Sequence, residues 1–162
     1  MVTVRMLQTG EHGLLDRVAP DVFDDTPVAA LCREFAADPR HHLAVALDAD
    51  GRVVGMASGV HYVHPDKPAQ MFINEVGVAA SHEGQGIGQR LVAALLQRAT
   101  DLGCTEAWTA TEPDNRRAKA LYTRAGGIAD PTPFVMFSFA LTGATGPIPL
   151  KKGAGKSASA LC

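Results

Sequence analysis

Apolar and polar positions follow two different periods along the chain, and these periods predict its secondary structure. Alternation of apolar with polar residues predicts strands, which cover residues 2–7, 42–47, 53–62, 71–78, 105–111 and 134–141. A three-to-four-residue apolar period predicts helices, which cover residues 12–19, 27–37, 86–102 and 116–125. This order of elements indicates a mixed α/β sheet within a single domain.

Turn and capping residues fall between these predicted elements. Residues 48–51 read Asp-Ala-Asp-Gly, which suits a tight hairpin between two strands. Asp25 and Pro27 offer a cap and a first-turn proline for the second helix. Gly103 and Gly126 stand where the third and fourth helices should end.

Composition divides the chain into a folded body and a tail. Residues 1–142 are expected to form the domain, whereas residues 143–162 are rich in Gly, Ala, Ser, Pro and Lys and predict a flexible tail. Of the 15 basic and 17 acidic residues, three lysines lie in this tail, which leaves the body near −5. That charge disfavours nucleic acid and tolerates a cationic partner, although it fits a simple solubility role equally well.

The number of cysteines and the hydropathy of the chain indicate in which cellular compartment the protein is expected. Cys32, Cys104 and Cys162 are odd in number and far apart, which argues against a disulfide framework and for a reducing cytoplasm. No apolar run reaches the roughly 20 residues of a membrane span, and the first residues lack the pattern of an export signal. His61 and His64 are potential metal ligands, but one falls in a strand and the other in a loop, so we expect no metal site.

A glycine-rich turn between a strand and a long helix is the most informative local motif. Residues 83–88 read Glu-Gly-Gln-Gly-Ile-Gly, directly before the third predicted helix. Unpaired N–H groups and the helix dipole favour an anion there, and glycines allow its close approach, so a pyrophosphate is the expected ligand. The alternative is a turn that only permits tight packing. No lysine follows as in an ATP-binding P-loop, and the spacing differs from that of a dinucleotide-binding turn.

A second motif follows about 30 residues later. Residues 115–127 contain Asn115, Ala118, Leu121, Tyr122 and Gly126 at the spacing of a short helix with one packing face. By itself this is an ordinary packing helix. Together and in this order, the two motifs resemble those of the GNAT superfamily of acyl-CoA-dependent N-acetyltransferases, across roughly residues 2–141.

The resemblance implies a fold and a co-substrate. The fold is a GNAT-type mixed, mostly antiparallel sheet with a central splayed parallel strand pair, flanked by about four helices. The co-substrate is acetyl-CoA. The residues that match its binding motifs are Val76, Gly77, Val78, Glu83, Gly84, Gln85, Gly86, Ile87, Gly88, Asn115, Ala118 and Tyr122. Glu83 departs from the family pattern, which has Arg or Gln there, and a carboxylate beside a pyrophosphate is unfavourable.

The same resemblance, joined to the chemistry of amine acetylation, suggests catalytic residues. A protonated amine has no lone pair to attack with, so a base must remove its proton. Glu75 lies within an apolar strand and is the candidate base, unless it is a structural, salt-bridged carboxylate. Tyr122 is the candidate acid for the departing thiolate, unless it serves only in packing. The transfer is expected to be direct, in a ternary complex.

Within the superfamily, the chain most resembles aminoglycoside 3-N-acetyltransferases, which implies antibiotic resistance. Acidic residues normally hold such polycationic drugs, although Asp24 and Asp25 fit helix capping equally well. The expected substrate-binding residues are Asp21, Asp24, Asp25, Tyr62, Asn74, Glu75, Glu112 and Asp114. Two alternatives stay open: another small amine (a polyamine, amino acid or amino sugar), or a degenerate domain that only binds acyl-CoA. A homodimer is expected by analogy alone.

Overall fold

The computed structural model describes residues 1–132, 135–137, 139 and 141. Its five strands are β1 (Thr3–Met6), β2 (His41–Leu47), β3 (Val53–Tyr62), β4 (Gln70–Val78) and β5 (Glu106–Trp108). Its three α-helices are α1 (Ala29–Ala37), α2 (Ile87–Asp101) and α3 (Arg116–Arg124). Two short 3-10 helices cover Glu11–Asp16 and Ala80–His82. These are the elements of the part of the chain that the structure describes.

The strands form one sheet in the order β1-β2-β3-β4-β5. The first four strands pair antiparallel, and β5 pairs parallel with β4. The predicted α/β fold with a mostly antiparallel sheet and one parallel pair is therefore confirmed. Over the described residues this pair forms the end of the sheet rather than its centre. The predicted strand at 134–141 lies partly outside those residues, and its described positions belong to no strand.

Tertiary contacts change the length of several predicted elements. The first predicted helix, 12–19, is a 3-10 helix that stops at Asp16, because Val18 leaves it to bridge Val53 of β3. The expected cap by Asp25 and Pro27 is wrong: α1 begins at Ala29, and its capping residue Val28 makes no side-chain cap. The strand predicted at 105–111 is shortened to β5.

The predicted hairpin turn at residues 48–51 and the predicted glycine ends of two helices are confirmed. The β2–β3 hairpin closes through Asp48 N–H donating to the Arg52 carbonyl at 3.0 Å, and Gly51 has a φ of 71°. Gly103 and Gly126 follow α2 and α3 with φ values of 74° and 94°, in the left-handed region that favours glycine.

The core lies on both faces of the sheet. Helix α2 covers one face of β3 and β4 and buries Ile87, Leu91 and Leu95 there. Val22 packs on the other face, against Gly77, and is fully buried. Within the described part of the chain, no helix has the length and apolar character that crossing a bilayer requires. The predicted tail, 143–162, is outside the described residues.

Candidate active site

A bulge interrupts β4 in its middle. Glu75 pairs with Ser58 of β3, but the next pair joins Ile73 to Gly59, so Asn74 has no partner residue opposite it. Such an extra residue bends the strand and increases its local twist. The bulge therefore redirects the second half of β4, which carries the candidate base.

Strands β4 and β5 part at the same level. Their parallel pairing covers only three residue pairs and ends at Phe72 opposite Trp108. One step further, the Thr109 hydroxyl donates to the Ile73 carbonyl at 3.0 Å, and no further pair follows. Beyond this point the two strands are not paired, and we call this unpaired stretch the gap between β4 and β5. The parallel pair itself is the one that the family resemblance implied.

The glycine turn leads from β4 into α2. Gly84 and Gly86 have φ values of 75° and 71°, and nothing lies within 4 Å of the place where a Cβ would stand on either. The first backbone donation at the start of α2 is from Arg90 to the Gly86 carbonyl. Among the described residues, the N–H groups of 84–89 have no acceptor, so they are available to a ligand at a helix N-terminus.

The turn forms one wall of an open cavity of about 540 Å³. The other walls are the end of β4 and the helix α3. The expected acetyl-CoA residues that line it are Val76, Val78, Glu83, Gly84, Gly86, Ile87, Gly88, Asn115, Ala118 and Tyr122. Gln85 is exposed and is not part of this wall. Three arginines of α3, at positions 116, 117 and 124, give the cavity a positive rim.

Gly77 occupies a different place from its neighbours Val76 and Val78. A Cβ on Gly77 would lie 2.0 Å from the carbonyl oxygen of Val22 and 3.0 Å from its carbonyl carbon. These are backbone atoms, which cannot swing aside as a flexible side chain can. The close approach of residues 17–22 to the sheet therefore requires glycine at position 77.

Helix α3 is held against the turn by a cap and by packing. The Asn115 side-chain oxygen accepts from the Ala118 N–H at 3.0 Å, which caps the helix. A Cβ on Gly88 would lie 3.5 Å from the Leu121 side chain, so the two helices are in close contact there. Tyr122 follows Leu121 and lines the cavity. Asn115 thus has a capping role besides its expected contact with CoA.

Glu83, the residue that departs from the family pattern, is paired with an arginine. The Arg117 guanidinium donates to its carboxylate at 2.9 Å, which joins α3 to the glycine turn. The Arg117 side chain is 73% exposed and that of Glu83 is 35% exposed. The pair neutralises the carboxylate at the cavity wall but adds little stability, because solvent screens exposed pairs.

Glu75 and Val76 are consecutive in β4, so their side chains point to opposite faces of the sheet. Glu75 is half-buried and pairs across β3–β4 with Ser58, which is 7% exposed. It does not belong to the cavity wall, whereas the next residue, Val76, does. The bulge therefore places the candidate base and the cavity next to each other along β4 but not in the same pocket.

Of the acidic residues expected to hold a substrate, Asp21 is the one that lines this cavity. It has a φ of 63°, which is uncommon for a residue other than glycine. Asp24 and Asp25 are exposed in the loop before α1, and Glu112 and Asp114 are exposed in the loop before α3. None of these last four lines the cavity. Asn74 is exposed at the bulge.

An aromatic and polar cluster stands beside the gap, and the sequence singled out only its Tyr62. The Trp108 indole N–H donates to the Tyr62 hydroxyl at 2.5 Å, and that hydroxyl donates to the Gln70 side-chain oxygen at 3.0 Å. The Gln70 amide donates to Glu106 at 2.5 Å. The rings of Phe72 and Trp108 have centroids 4.5 Å apart. Alternation along β3 and β4 was the signal that could have placed these residues on one face.

The histidines form contacts with one another. His42, 6% exposed, lies 2.8 Å from His61 between ring nitrogens, and Arg98 approaches its other nitrogen at 3.5 Å. Burial, with the nearby Arg98 charge, lowers the pKa of His42 to about 4. His64 instead packs edge-on against Tyr62. In the described residues, no group of three or more His, Cys, Asp or Glu side chains is placed to hold a metal ion.

Comparison with known sequences shows the family. The profile of the acetyltransferase (GNAT) family matches residues 12–127. An L-2,4-diaminobutyric acid acetyltransferase of Nocardia farcinica is 32% identical over 124 residues, which are 74% of this chain and 61% of that protein. A mycothiol acetyltransferase of Pseudarthrobacter chlorophenolicus is 38% identical over 100 residues, which are 61% of this chain and 31% of that protein. The chain thus spans less than two thirds of the length of these relatives.

Solved structures share the fold. An aminoglycoside acetyltransferase from an uncultured soil metagenomic sample, in complex with sisomicin, has a TM-score of 0.74 at 18% identity, covering 86% of this chain and 96% of that one. The aminoglycoside acetyltransferase AAC(6')-Iy, with a CoA-linked bisubstrate analogue, has a TM-score of 0.70 at 19% identity, covering 87% and 99%.

The matching family and the named relatives are acetyltransferases, in agreement with the enzyme class and the acetyl-CoA co-substrate that the resemblance implied. The motifs at 83–88 and 115–127 both lie within the matched region. The chain therefore belongs to the acetyltransferase (GNAT) family.

Proposed function

We propose that this chain acetylates a small-molecule amine from acetyl-CoA, by direct transfer in a ternary complex. The observation that carries the proposal is the arrangement around the β4–β5 gap. The cavity with its glycine turn opens on one side of β4, and Glu75 stands beside the gap but outside that cavity. Two substrates that approach from these two directions would meet at the gap.

The cavity suits the phosphates of acetyl-CoA. Its glycine turn offers unpaired N–H groups at the start of α2, and the space beside Gly84 and Gly86 is open. The arginines of α3 add positive charge on the opposite wall, and Arg117 offsets the carboxylate of Glu83. This last contact answers the objection to CoA binding that Glu83 had raised, while turnover distinguishes an enzyme from a domain that only binds acyl-CoA.

Acetyl-CoA supplies an activated acetyl group on a thioester, and the chain's own residues then manage two protons. Glu75 would accept the proton of the attacking amine, directly or through water. Tyr122, in the cavity wall, would hold a proton for the departing thiol sulfur. Backbone N–H groups of Val76 or Val78, beyond the point where β5 leaves β4, could hydrogen-bond the thioester oxygen.

An aminoglycoside, acetylated at its 3-amino group and thereby inactivated, is the first candidate acceptor. The body carries a net negative charge, Asp21 lines the cavity, and Glu75 lies on β4, the strand whose end forms part of the cavity wall. The sisomicin-bound structure with the same fold also supports an aminoglycoside. A polycation would be attracted to such a surface.

A diamino acid is the second candidate, and it rests on sequence identity. L-2,4-diaminobutyric acid acetyltransferases of several bacteria match this chain at 32–38% identity. Such a substrate is also an amine that carries a second charged nitrogen. Both candidates therefore need a site that accepts one amine at the gap and a second cation elsewhere.

A thiol-release assay tests the proposal. Acetyl-CoA is mixed with the protein and with gentamicin, sisomicin, kanamycin, neomycin, spermidine or 2,4-diaminobutyrate. Turnover of one acceptor supports the function, and mass spectrometry and NMR of the product identify the acetylated nitrogen. Binding of CoA without turnover of any amine would overturn it. Protection of a susceptible bacterium by the expressed protein separates drug resistance from metabolism.

We also infer a cytoplasmic protein that forms a homodimer. Free thiols support the first point: Cys32 and Cys104 are unpaired in the described structure, and burial raises the pKa of both. The dimer rests on analogy with the family. Light scattering of the purified protein gives its mass directly, and a mass of one chain would remove the dimer.

A further inference from the structure

We propose that Trp108, Phe72 and Tyr62 form a platform for a second, charged amino group of the acceptor, and that the acceptor is an extended polycation rather than a short diamino acid. This inference rests on the proposed acetyltransferase function. It adds the part of the site that selects the substrate.

The platform is built and held in place by specific contacts. Trp108 ends β5 and lies opposite Phe72, with ring centroids 4.5 Å apart and planes inclined by 39°. The Trp108 N–H is fixed on the Tyr62 hydroxyl, which continues to Gln70. These bonds connect three neighbouring strands, so the indole is oriented although it is 43% exposed.

Its chemistry suits an ammonium group. An exposed aromatic face attracts a cation within about 6 Å of the ring centre, and tryptophan does so best. The carboxylate of Glu106 stands at the end of the same hydrogen-bond chain, held at 2.5 Å by the Gln70 amide. An aromatic face with a carboxylate at its rim is therefore selective for positive charge.

Its position decides the length of the acceptor. Phe72 precedes the candidate base Glu75 by three residues of β4, which is about 10 Å or slightly less at the usual rise of a strand. The two nitrogens of 2,4-diaminobutyrate are separated by four single bonds, about 5 Å when extended, which is about half of this backbone spacing. Spermidine and aminoglycosides carry amines far enough apart to occupy both places.

The fluorescence of Trp108 tests this directly, because it is the only tryptophan in the chain. The full protein is titrated with spermidine, gentamicin, 2,4-diaminobutyrate and propylamine. We expect saturable changes with spermidine or gentamicin, at concentrations about tenfold lower than for the two short amines. Saturation with spermidine identifies the ligand as a polyamine, and saturation with gentamicin identifies it as an aminoglycoside. No change with either polycation, or equal half-saturation for all four amines, overturns the platform.

Variants supply a second readout. Trp108→Leu should raise KM for the extended acceptor about tenfold and leave KM for acetyl-CoA unchanged, whereas Trp108→Phe should keep most of the affinity. Glu106→Gln should weaken the fluorescence response, and Glu34→Gln, an exposed carboxylate on α1, should not. An unchanged KM in Trp108→Leu contradicts the platform.

The two proposals fail separately. Fluorescence saturation without release of thiol in any assay removes the acetyltransferase function and leaves the cation platform. Turnover of an amine with no response of Trp108 removes the platform and leaves the function.

Discussion

The Arg117 guanidinium lies 2.9 Å from the carboxylate of Glu83 and connects helix α3 to the glycine turn at the start of α2. Arg117 thereby places a positive charge beside the negative charge of Glu83 in the turn. It couples two motifs that are 34 residues apart and that both line the cavity.

Glu83→Gln should lower KM for acetyl-CoA by about two- to tenfold, because it removes a negative charge near the expected phosphates and frees Arg117 for them. Arg117→Gln should raise KM by a similar factor, because it leaves the Glu83 carboxylate uncompensated. Steady-state kinetics with varied acetyl-CoA measure both. Glu34→Gln on α1 is the matched control and should leave KM unchanged. A higher KM in Glu83→Gln would contradict this account.

Gly77→Ala should destabilise the fold by about 3 kcal/mol or more, since its methyl group would meet the Val22 backbone. Urea unfolding followed by circular dichroism gives the free energy of unfolding. Gly13→Ala is the control, because a Cβ there would find only a side-chain oxygen of Asp16 at 3.9 Å. We expect that control within about 0.5 kcal/mol of wild type. Equal stability of both variants would show that residues 17–22 do not pack as described.

Glu75→Gln should lower kcat by about 10²- to 10⁴-fold with little change in the affinity for CoA, because it removes the proton acceptor and keeps the shape. The loss should be smaller for an acceptor amine of low pKa, which is already neutral. Stopped-flow or coupled thiol detection measures the rate. Wild-type activity in this variant would return Glu75 to a structural role.

Tyr122→Phe should slow turnover while CoA binds as before, because the phenol is lost but the ring still packs in the cavity wall. Calorimetry with CoA and turnover across pH separate the two effects. A loss of CoA affinity with normal turnover at saturating acetyl-CoA would assign Tyr122 to binding alone.

His42 should make the protein less stable in mild acid. Its pKa falls from 6.5 to about 4 on folding, so the unfolded chain binds the proton more tightly. The stability is complete above pH 6.5 and is lost as the pH falls toward 4, by on the order of 1–3 kcal/mol. The groups facing it are His41, His61 and Arg98. The free energy of unfolding, measured with urea between pH 7.5 and 4.5, should depend less on pH in His42→Gln than in wild type. In the exposed control His64→Gln this pH dependence should equal that of wild type.

Much of the site could be predicted because its signals are local. The glycines at 84 and 86 adopt the left-handed conformations that a turn into a helix needs. The Asn115 cap is also local, because its side chain accepts from the N–H of Ala118, three residues further along the chain. The bulge at Asn74 could not be predicted in the same way. It depends on the register between β3 and β4, which no single strand specifies.

Contacts between distant segments account for the remaining differences. Residues 12–19 have a helical pattern, yet pairing between Val18 and Val53 ends the helix early. Of the expected acidic residues, Asp21 lines the cavity, whereas Asp24 and Asp25 lie in an exposed loop. Trp108 and Tyr62 are 46 residues apart, and only the order of strands brings them together.

The sequence by itself determined the α/β class, the glycine turn and the helix that follows it, because backbone conformation and apolar period are local properties. It also indicated the family through two motifs of fixed spacing. The tertiary structure decided which charges meet, as in Glu83 with Arg117, and why Gly77 must lack a side chain. It also decided which of the candidate residues line the cavity. These properties depend on strand register and on packing between segments far apart in the chain. A shift of one residue in the register would give every side chain of that strand different neighbours.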